Sequence, residues 1–375
     1  MFFWRKSLSY QEPIEKLAFN MLTHFSSDKE NIVVSPYSTF SVLLMSTAIF
    51  KESTRRQNFE ALGIPTNTSV KDLLTALNQL IKTIEVQSSD GNVSGANSIW
   101  PNKNSNFDPS LYAPLEQYLG AKITPVEFPQ PGCDLINKHI EEVTHGLIKN
   151  MLNPLLTDKL THSLIVNAIY FNAKWKKPFE SKNTNEETFT LLDGTEVKTK
   201  LMQKKDEYLY GEDENAKILS MEYINDYSMV CILPKLNSAE SFRAVRTALA
   251  NGKYKDYLKM LSPKPIEVDV KIPKFKHYWG TSSLTKMLND MGIKDMFNPT
   301  IELHFVDDIV QKAVIEVDEV KTEAAAVTIS FIKAGALFDF NKPMPPSFHA
   351  DHPFFYFITH KEGTILFAGE YIKPE

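Results

Sequence analysis

Apolar positions recur at helical spacing through the first 150 residues and at strand spacing through most of the remainder. Ile14, Leu17, Ala18, Met21, Leu22 and Phe25 fall on one face of an amphipathic helix, with Pro13 suited to its first turn. The apolar run 31–34 is interrupted by Ser35-Pro36-Tyr37-Ser38 before a second helix over 40–50. A third helix follows Ser53 or Thr54 as cap and stops at Gly63. Leu73, Leu74, Leu77, Leu80, Ile81 and Ile84 make a fourth, Asp108-Pro109 opens a fifth that ends near Gly120, and 134–146 is a sixth. Then the period changes. The segment 162–175 (HSLIVNAIYFNAKW) is too apolar and β-branched for a surface helix and predicts a long central strand. Asp193-Gly194 and Asn225-Asp226 mark two hairpins, the second leading into a buried strand over 229–233. A capped helix over 238–251, a strand over 266–275, a helix over 282–291 and a hairpin of 354–360 with 364–371 complete the pattern. No linker or repeat divides it, so we expect one α+β domain over 1–375 in which early helices cover later sheets.

The stretch 310–353 departs from this regularity. Residues 310–320 alternate as a strand, 322–330 are small or β-branched with neither Gly nor Pro, and 335–346 has loop and turn chemistry. Thr322, Ala324, Ala326, Thr328, Ser330 and Ile332 share one face of an extended segment, and all but Ile332 are small. That is what a strand needs if it must slide between strands already in place, because bulky groups would displace a packed core. Left exposed, such a segment has unsatisfied strand potential of the kind natural sheets avoid.

Composition narrows the function classes. An apolar fraction of 43% and a charged fraction of 23% allow a packed core, and a net charge of −5 with interspersed signs argues against a nucleic-acid surface. No apolar run approaches the ~20 residues that span a bilayer, so no membrane partner is expected. Met1-Phe2-Phe3-Trp4 is interrupted at once by Arg5-Lys6, which leaves no signal-peptide core. An extracellular protein whose leader has been removed is the preferred reading, a cytoplasmic one the alternative. Asn67 and Asn92 head sequons that would carry glycans only in the secreted case. Cys133 and Cys231 are expected as two buried thiols, with a single disulfide as the other option.

Catalytic motifs are missing from the sequence: it has no G-x-S-x-G, H-E-x-x-H, glycine-rich phosphate loop or CxxC pair. His139, Glu141, Glu142 and His145 form the best cluster, but His145 lies off the face shared by His139 and Glu142, so a solvated helix face is expected rather than a metal site. His349 and His352, flanking Asp351, read as turn and packing residues. We therefore expect no cofactor, no metal and no enzymatic activity.

Four segments resemble serpins, the serine protease inhibitor family. Glu319-Val320-Lys321-Thr322-Glu323-Ala324-Ala325-Ala326-Val327-Thr328 resembles the hinge E-x-G-T-E-A-A-A-x-T. Asn31-Ile32-Val33-Val34-Ser35-Pro36-Tyr37-Ser38 resembles the N-I-x-x-S-P-x-S stretch beneath the point where the main sheet opens. Residues 166–171 with Lys174-Trp175 and Pro178-Phe179 resemble the central strand and the Trp where the loop first enters, and 348–354 resembles the F-x-A-D-H-P-F of the intracellular branch. The resemblance implies eight or nine helices on three mostly antiparallel sheets, a reactive-centre loop at 321–347, and a monomer that traps a serine protease covalently. It implies that Ser35, Ser38, Asn167, Trp175 and Gln311 line the sheet-opening region. Two positions depart from the family pattern: Lys321 stands where Gly is usual, and Gln311 where many members have His. Gln311 could still hydrogen-bond Ser35, Ser38 or Asn167, without a histidine's pH response. A non-inhibitory member acting as a carrier or chaperone is the alternative.

The family's spacings place the scissile bond between Gly335 and Asn341. Counting from Glu319 lands on Gly335-Ala336, and counting back from Phe348 lands on Phe340-Asn341. The window Gly335, Ala336, Leu337, Phe338, Asp339, Phe340, Asn341 has no basic residue, so large apolar side chains are the expected bait. Chymotrypsin-like targets come first and elastase-like ones next.

Overall fold

The computed structural model describes residues 10–85, 87–88, 91–105, 107–121, 123–144, 146, 148–319, 344–361 and 363–374. Among them the chain opens with α1 (Gln11–Phe25), β1 (Ile32–Val34), α2 (Pro36–Thr47), α3 (Glu52–Leu62), α4 (Val70–Ile84), β2 (Gln87–Ser88), β3 (Gly91–Pro101), α5 (Ala113–Leu119) and α6 (Gln130–Val143). Strands then dominate: β4 (Ser163–Ala173), β5 (Thr184–Thr190), β6 (Glu196–Glu212), β7 (Ala216–Glu222) and β8 (Tyr227–Pro234). After α7 (Ala239–Ala250) and α8 (Tyr254–Met260) come β9 (Ile266–Pro273), β10 (Phe275–Ser283), α9 (Thr285–Asp290) and β11 (Asp308–Val317). The described chain closes with β12 (Ser347–His349), β13 (Phe354–His360) and β14 (Ile365–Tyr371).

The strands form two hydrogen-bonded sheets. A five-stranded sheet runs β10-β11-β4-β3-β2, and a nine-stranded one runs β1-β14-β13-β8-β7-β6-β9-β12, with β5 added on β6. Of the three sheets expected, two are continuous through β6, whose residues 201–208 pair with β9 and 209–212 with β7. Asn225 and Asp226 both take φ of 63°, left-handed turn conformations, and lie in the tight connection that joins β7 to β8 as expected.

Local chemistry accounts for the differences from the sequence pattern. Ser35-Pro36 starts α2 rather than breaking the chain before it: the Ser35 hydroxyl accepts the Ser38 N–H and Pro36 occupies the first turn. α3 begins two or three residues earlier than a Ser53 or Thr54 cap would place it, after Lys51, with no side-chain cap. β3 has no apolar signature, since GNVSGANSIWP is mostly small and polar, yet it pairs with β4 along all eleven of its residues.

β4 and β11 read as apolar because both their faces are covered. Ile165, Ile169 and Phe171 with Ile309, Ala313 and Ile315 join the main core, while Leu164, Val166 and Ala168 with Val310 and Val314 pack under α6 against Ile136, Ile140 and Met151. Cys133 sits in the α6 cluster and Cys231 in the main core; both are buried and free, which excludes the disulfide option.

Candidate functional site

β4 and β11 run parallel, eight residues in register from Leu164–Asp308 to Phe171–Ile315. Their outer neighbours β3 and β10 run antiparallel to them. The chain leaves β11 at Val317 and reaches the described end of the segment at Glu319, so a segment returning from there would run antiparallel to both β4 and β11. Parallel ladders are slightly weaker per residue than antiparallel ones, and one parallel seam could be exchanged here for two antiparallel ladders.

A buried polar network crosses the seam. Asn167 and Gln311 are paired in register and are 0% and 1% exposed. The Gln311 Oε1 accepts the Ser35 N–H at 3.0 Å, and its Nε2 lies within donating distance of the Ser35 carbonyl (3.0 Å), Thr39 Oγ1 (2.8 Å) and Asn167 Oδ1 (2.5 Å). Asn167 Nδ2 donates to Ser38 Oγ and Asn97 Oδ1, both at 2.5 Å, and the Ser38 hydroxyl also reaches Asn97 Oδ1 at 3.1 Å. The Ser35 hydroxyl donates to the Leu366 carbonyl on β14 at 2.6 Å. Both ends of each carboxamide are therefore paired, as burial requires. The network continues through α2. Tyr37 donates to Glu85 Oε1 at 2.9 Å and the Gly95 N–H to Oε2 at 3.3 Å. A Cβ on Gly95 would fall 2.7 Å from Glu85 Oε1, so a side chain there would require the carboxylate to shift. Burial pushes Glu85 up to about 7, against the two donors that favour its charge.

At the end of the seam near Glu319, four contacts hold the chain as it leaves β11. The Trp175 indole N–H donates to the Asp318 carbonyl at 2.8 Å, and the Phe179 N–H to the Glu319 carbonyl at 2.9 Å. Trp175 stacks on Tyr223 with ring centres 3.9 Å apart. The Glu319 carboxylate accepts from Thr184 Oγ1 at 2.8 Å and from Lys274 Nζ at 2.7 Å. Burial opposes its charge, but Lys274, with Thr184, holds it below the usual carboxylate range. A cleft of about 330 Å³ opens beside Trp175, lined also by Phe179, Tyr208 and Met221.

The sequence model of the family described as Serpin (serine protease inhibitor) matches residues 12–374. An uncharacterized serpin-like protein of Methanosarcina acetivorans is 32% identical over 95% of this chain and 84% of its own length. The chain is a serpin. The mouse (Mus musculus) leukocyte elastase inhibitor A is 30% identical over 93% of this chain and 94% of its own. The structure superposes on that of a thermophilic serpin, tengpin, in the native state with a TM-score of 0.85, covering 100% of this chain and 96% of that one at 24% identity.

Serpins are protease inhibitors rather than enzymes. The serpin fold brings Ser35, Ser38, Asn167 and Gln311 together beneath the seam, and Trp175 beside Glu319 at its end. Gln311 meets Ser35 and Asn167 directly; Thr39, rather than Ser38, supplies its remaining contact. Asn97, Glu85, Thr184 and Lys274 were not singled out from the sequence. Asn97 lies on the strand without an apolar pattern, and the others carry no local signal of partners so far away in the chain. Glu319 is the one hinge position within the described residues; Lys321 to Thr328 and the window Gly335–Asn341 lie outside them. Asn67 is exposed before α4, and Asn92 lies within β3. In the acidic cluster, Glu141 pairs with Lys149, Glu142 with Lys138, and His139 packs on Trp100, while His145 lies outside the described residues. His349 bonds Asp269, and His352 bridges Asp351 and the Pro234 carbonyl. Among the described residues, no group of three His, Cys, Asp or Glu is placed to hold a metal.

Proposed function

We propose that this serpin inhibits serine proteases as a suicide substrate. The protease serine oxygen attacks a carbonyl in the window Gly335–Asn341. The peptide C–N bond breaks, the departing amine takes up a proton equivalent to the one the serine loses, and an ester joins enzyme to loop. The freed hinge, residues 322–332, then adds to the main sheet as a strand. The parallel β4–β11 seam carries this reading, because its strands are paired directly and are oriented to receive a chain returning from Glu319. Thr322, at the insertion point, is the hinge residue on which the mechanism depends most. Lys321 can remain at the solvated edge of the sheet.

Leu337, Phe338 and Phe340 fit a deep apolar pocket, so chymotrypsin-like enzymes are the first targets. Elastase-like enzymes come second, in keeping with the likeness to leukocyte elastase inhibitor A. For the compartment, we take the cytoplasmic alternative over the secreted one: two buried free thiols and the F-x-A-D-H-P-F-like segment favour it. Mixing the purified protein with chymotrypsin, elastase and trypsin should give a denaturant-stable adduct with the first, and mass spectrometry of the released C-terminal fragment should start it between Ala336 and Asn341. Fastest trapping of trypsin, with cleavage after Lys333, would overturn the specificity. Cleavage by every protease without an adduct, and without a rise in melting temperature, would favour the carrier or chaperone alternative.

A further inference from the structure

β4 and β11 end side by side, and the chain that leaves β4 is laid across the exit of β11. The last pair in their register is Phe171–Ile315. Beyond it, residues 174–179 run from β4 toward β5 and bond the continuation of the other strand. The Trp175 indole donates to the Asp318 carbonyl, and the Phe179 N–H to the Glu319 carbonyl. This strap spans the seam at the end where a hinge returning from Glu319 must enter. Its fastening lies on β6. Asp206 Oδ1 accepts from Lys177 Nζ at 2.9 Å, and Asp206 Oδ2 pairs with Lys204 Nζ at 2.9 Å. Lys204 also donates to the Pro178 carbonyl at 3.1 Å, and Lys177 to the Glu207 carbonyl at 2.8 Å. One carboxylate therefore anchors the part of the strap that lies between Trp175 and Phe179. The side chains of Lys177, Asp206 and Lys204 are 37%, 28% and 24% exposed, against 60% and 58% for the neighbouring Lys176–Glu222 pair. Water and salt weaken the triad less than that surface pair, so the triad is the anchor of consequence. Burial opposes the Asp206 charge, but Lys204, Lys177 and the Glu207 N–H hold its carboxyl down at about 2.

We propose that Asp206 is a positioning residue for hinge insertion, holding the strap across the seam so that the intact loop does not insert before a protease has cut it. The inference rests on the inhibitory mechanism above. A suicide substrate must keep its sheet closed while the loop waits as bait, yet let it open once the loop is free. Entry of a strand beside Glu319 requires Trp175 and Phe179 to lift from the Asp318 and Glu319 carbonyls. While Asp206 holds Lys177 and Lys204, the residues between those two contacts cannot move away from β6. Without its charge, Lys177 keeps only the Glu207 carbonyl and Lys204 only the Pro178 carbonyl, and two ammonium groups face each other with no anion between them. The strap then lifts more often, and the uncut hinge gains entry. The expected acceleration is about tenfold, the order given by losing charge-assisted contacts that are partly open to solvent.

The test follows how long the inhibitor lasts without protease in the wild type, D206N and D206E. Asn keeps the shape of Asp206 but not its charge, and Glu keeps the charge. Fresh samples of all three should form the chymotrypsin adduct alike, which shows that they are folded. On storage, D206N should lose trapping activity about tenfold faster than the wild type. The lost material should be a monomer with an uncleaved loop and a raised melting temperature, the mark of insertion. D206E should last about as long as the wild type, and added salt should shorten the wild type's lifetime while leaving that of D206N unchanged. A fresh D206N sample that forms no adduct supports the proposal if its melting temperature is raised and overturns it if lowered. Equal lifetimes for D206N and the wild type, loss of D206N by unfolding without a heat-stable product, or a D206E variant that decays like D206N would each overturn it and leave the inhibitory mechanism standing. Absence of an adduct with fresh wild-type protein would remove that mechanism and this inference with it.

Discussion

Replacing Glu85 by Gln should stabilise this serpin above neutral pH and leave it nearly unchanged in acid. The carboxylate lies between α4 and β3, with the Tyr37 hydroxyl and the Gly95 N–H as its donors. Burial outweighs both and moves the group from an ordinary 4.5 to about 7. A carboxyl raised in the folded state contributes its full stability below about pH 4.5, and the contribution disappears as pH rises through about 7. At about 1.4 kcal/mol per unit, the charge costs the folded state about 3 kcal/mol above pH 8. Gln keeps an acceptor for Tyr37 or Gly95 and never ionises. The difference between variant and wild type should therefore be near zero at pH 4 and grow to about 3 kcal/mol by pH 8, or about 4 °C in melting temperature for a chain of this size. Paired denaturation curves across that range measure it. A difference independent of pH, or one largest at pH 4, would refute the reasoning and show that the glutamate bears its charge without strain.

Three further outcomes are expected. Lys274→Met should destabilise the protein by about 1 kcal/mol at pH 7, a modest value because Lys274 is 44% exposed. The Glu319 carboxyl is held low in the folded state, so its contribution is present above the unfolded value near 4.5 and is lost in acid; the gap between variant and wild type should close in urea titrations below that pH. Gln311→Ala strands Ser35 N–H and part of the Asn167 amide in the core and should cost about 2 to 4 kcal/mol by chemical denaturation. Thr322→Arg would bury an unpaired charge on insertion, at several kcal/mol, so gels should show the loop cleaved at the normal rate with the adduct lost.

The sequence disclosed the fold through its motifs and its long patterned elements more than through every strand. Helices with a continuous apolar face, such as α1 and α4, stand where the spacing placed them. β3 was illegible because a strand built of Gly, Asn, Ser and Ala has no period to detect; it exists because β4 offers a full-length partner. β10 was missed: the strand expected over 266–275 ends at its first residue, and Ser282 and Ser283, expected to open a helix, close it. The pairing of β4 with β11 joins segments about 145 residues apart, and no local pattern states whether two such strands run parallel. The same limit held in the site. Ser35, Asn167, Gln311 and Trp175 were reached through motifs, whereas Asn97, Thr184 and Lys274 act only through tertiary contacts.

A sheet that must open along one seam faces opposed demands, and the β4–β11 pair answers both with ordinary chemistry. While closed, it is covered on both faces and crossed by the Gln311–Asn167 contact. Each carboxamide also has other partners: Gln311 has Ser35 and Thr39, and Asn167 has Ser38 and Asn97. Separating the strands at this level thus breaks one side-chain hydrogen bond, worth about 1 kcal/mol net, and leaves Asn167 Oδ1 to find a new donor while the Gln311 amide keeps Ser35 and Thr39. The eight-residue parallel ladder is the weaker kind, and its loss is answered by two antiparallel ladders once a strand enters. The two alterations of the network therefore act differently. Gln311→Ala damages the closed sheet directly, whereas Thr322→Arg leaves the closed sheet untouched and denies it the strand that would fill the seam.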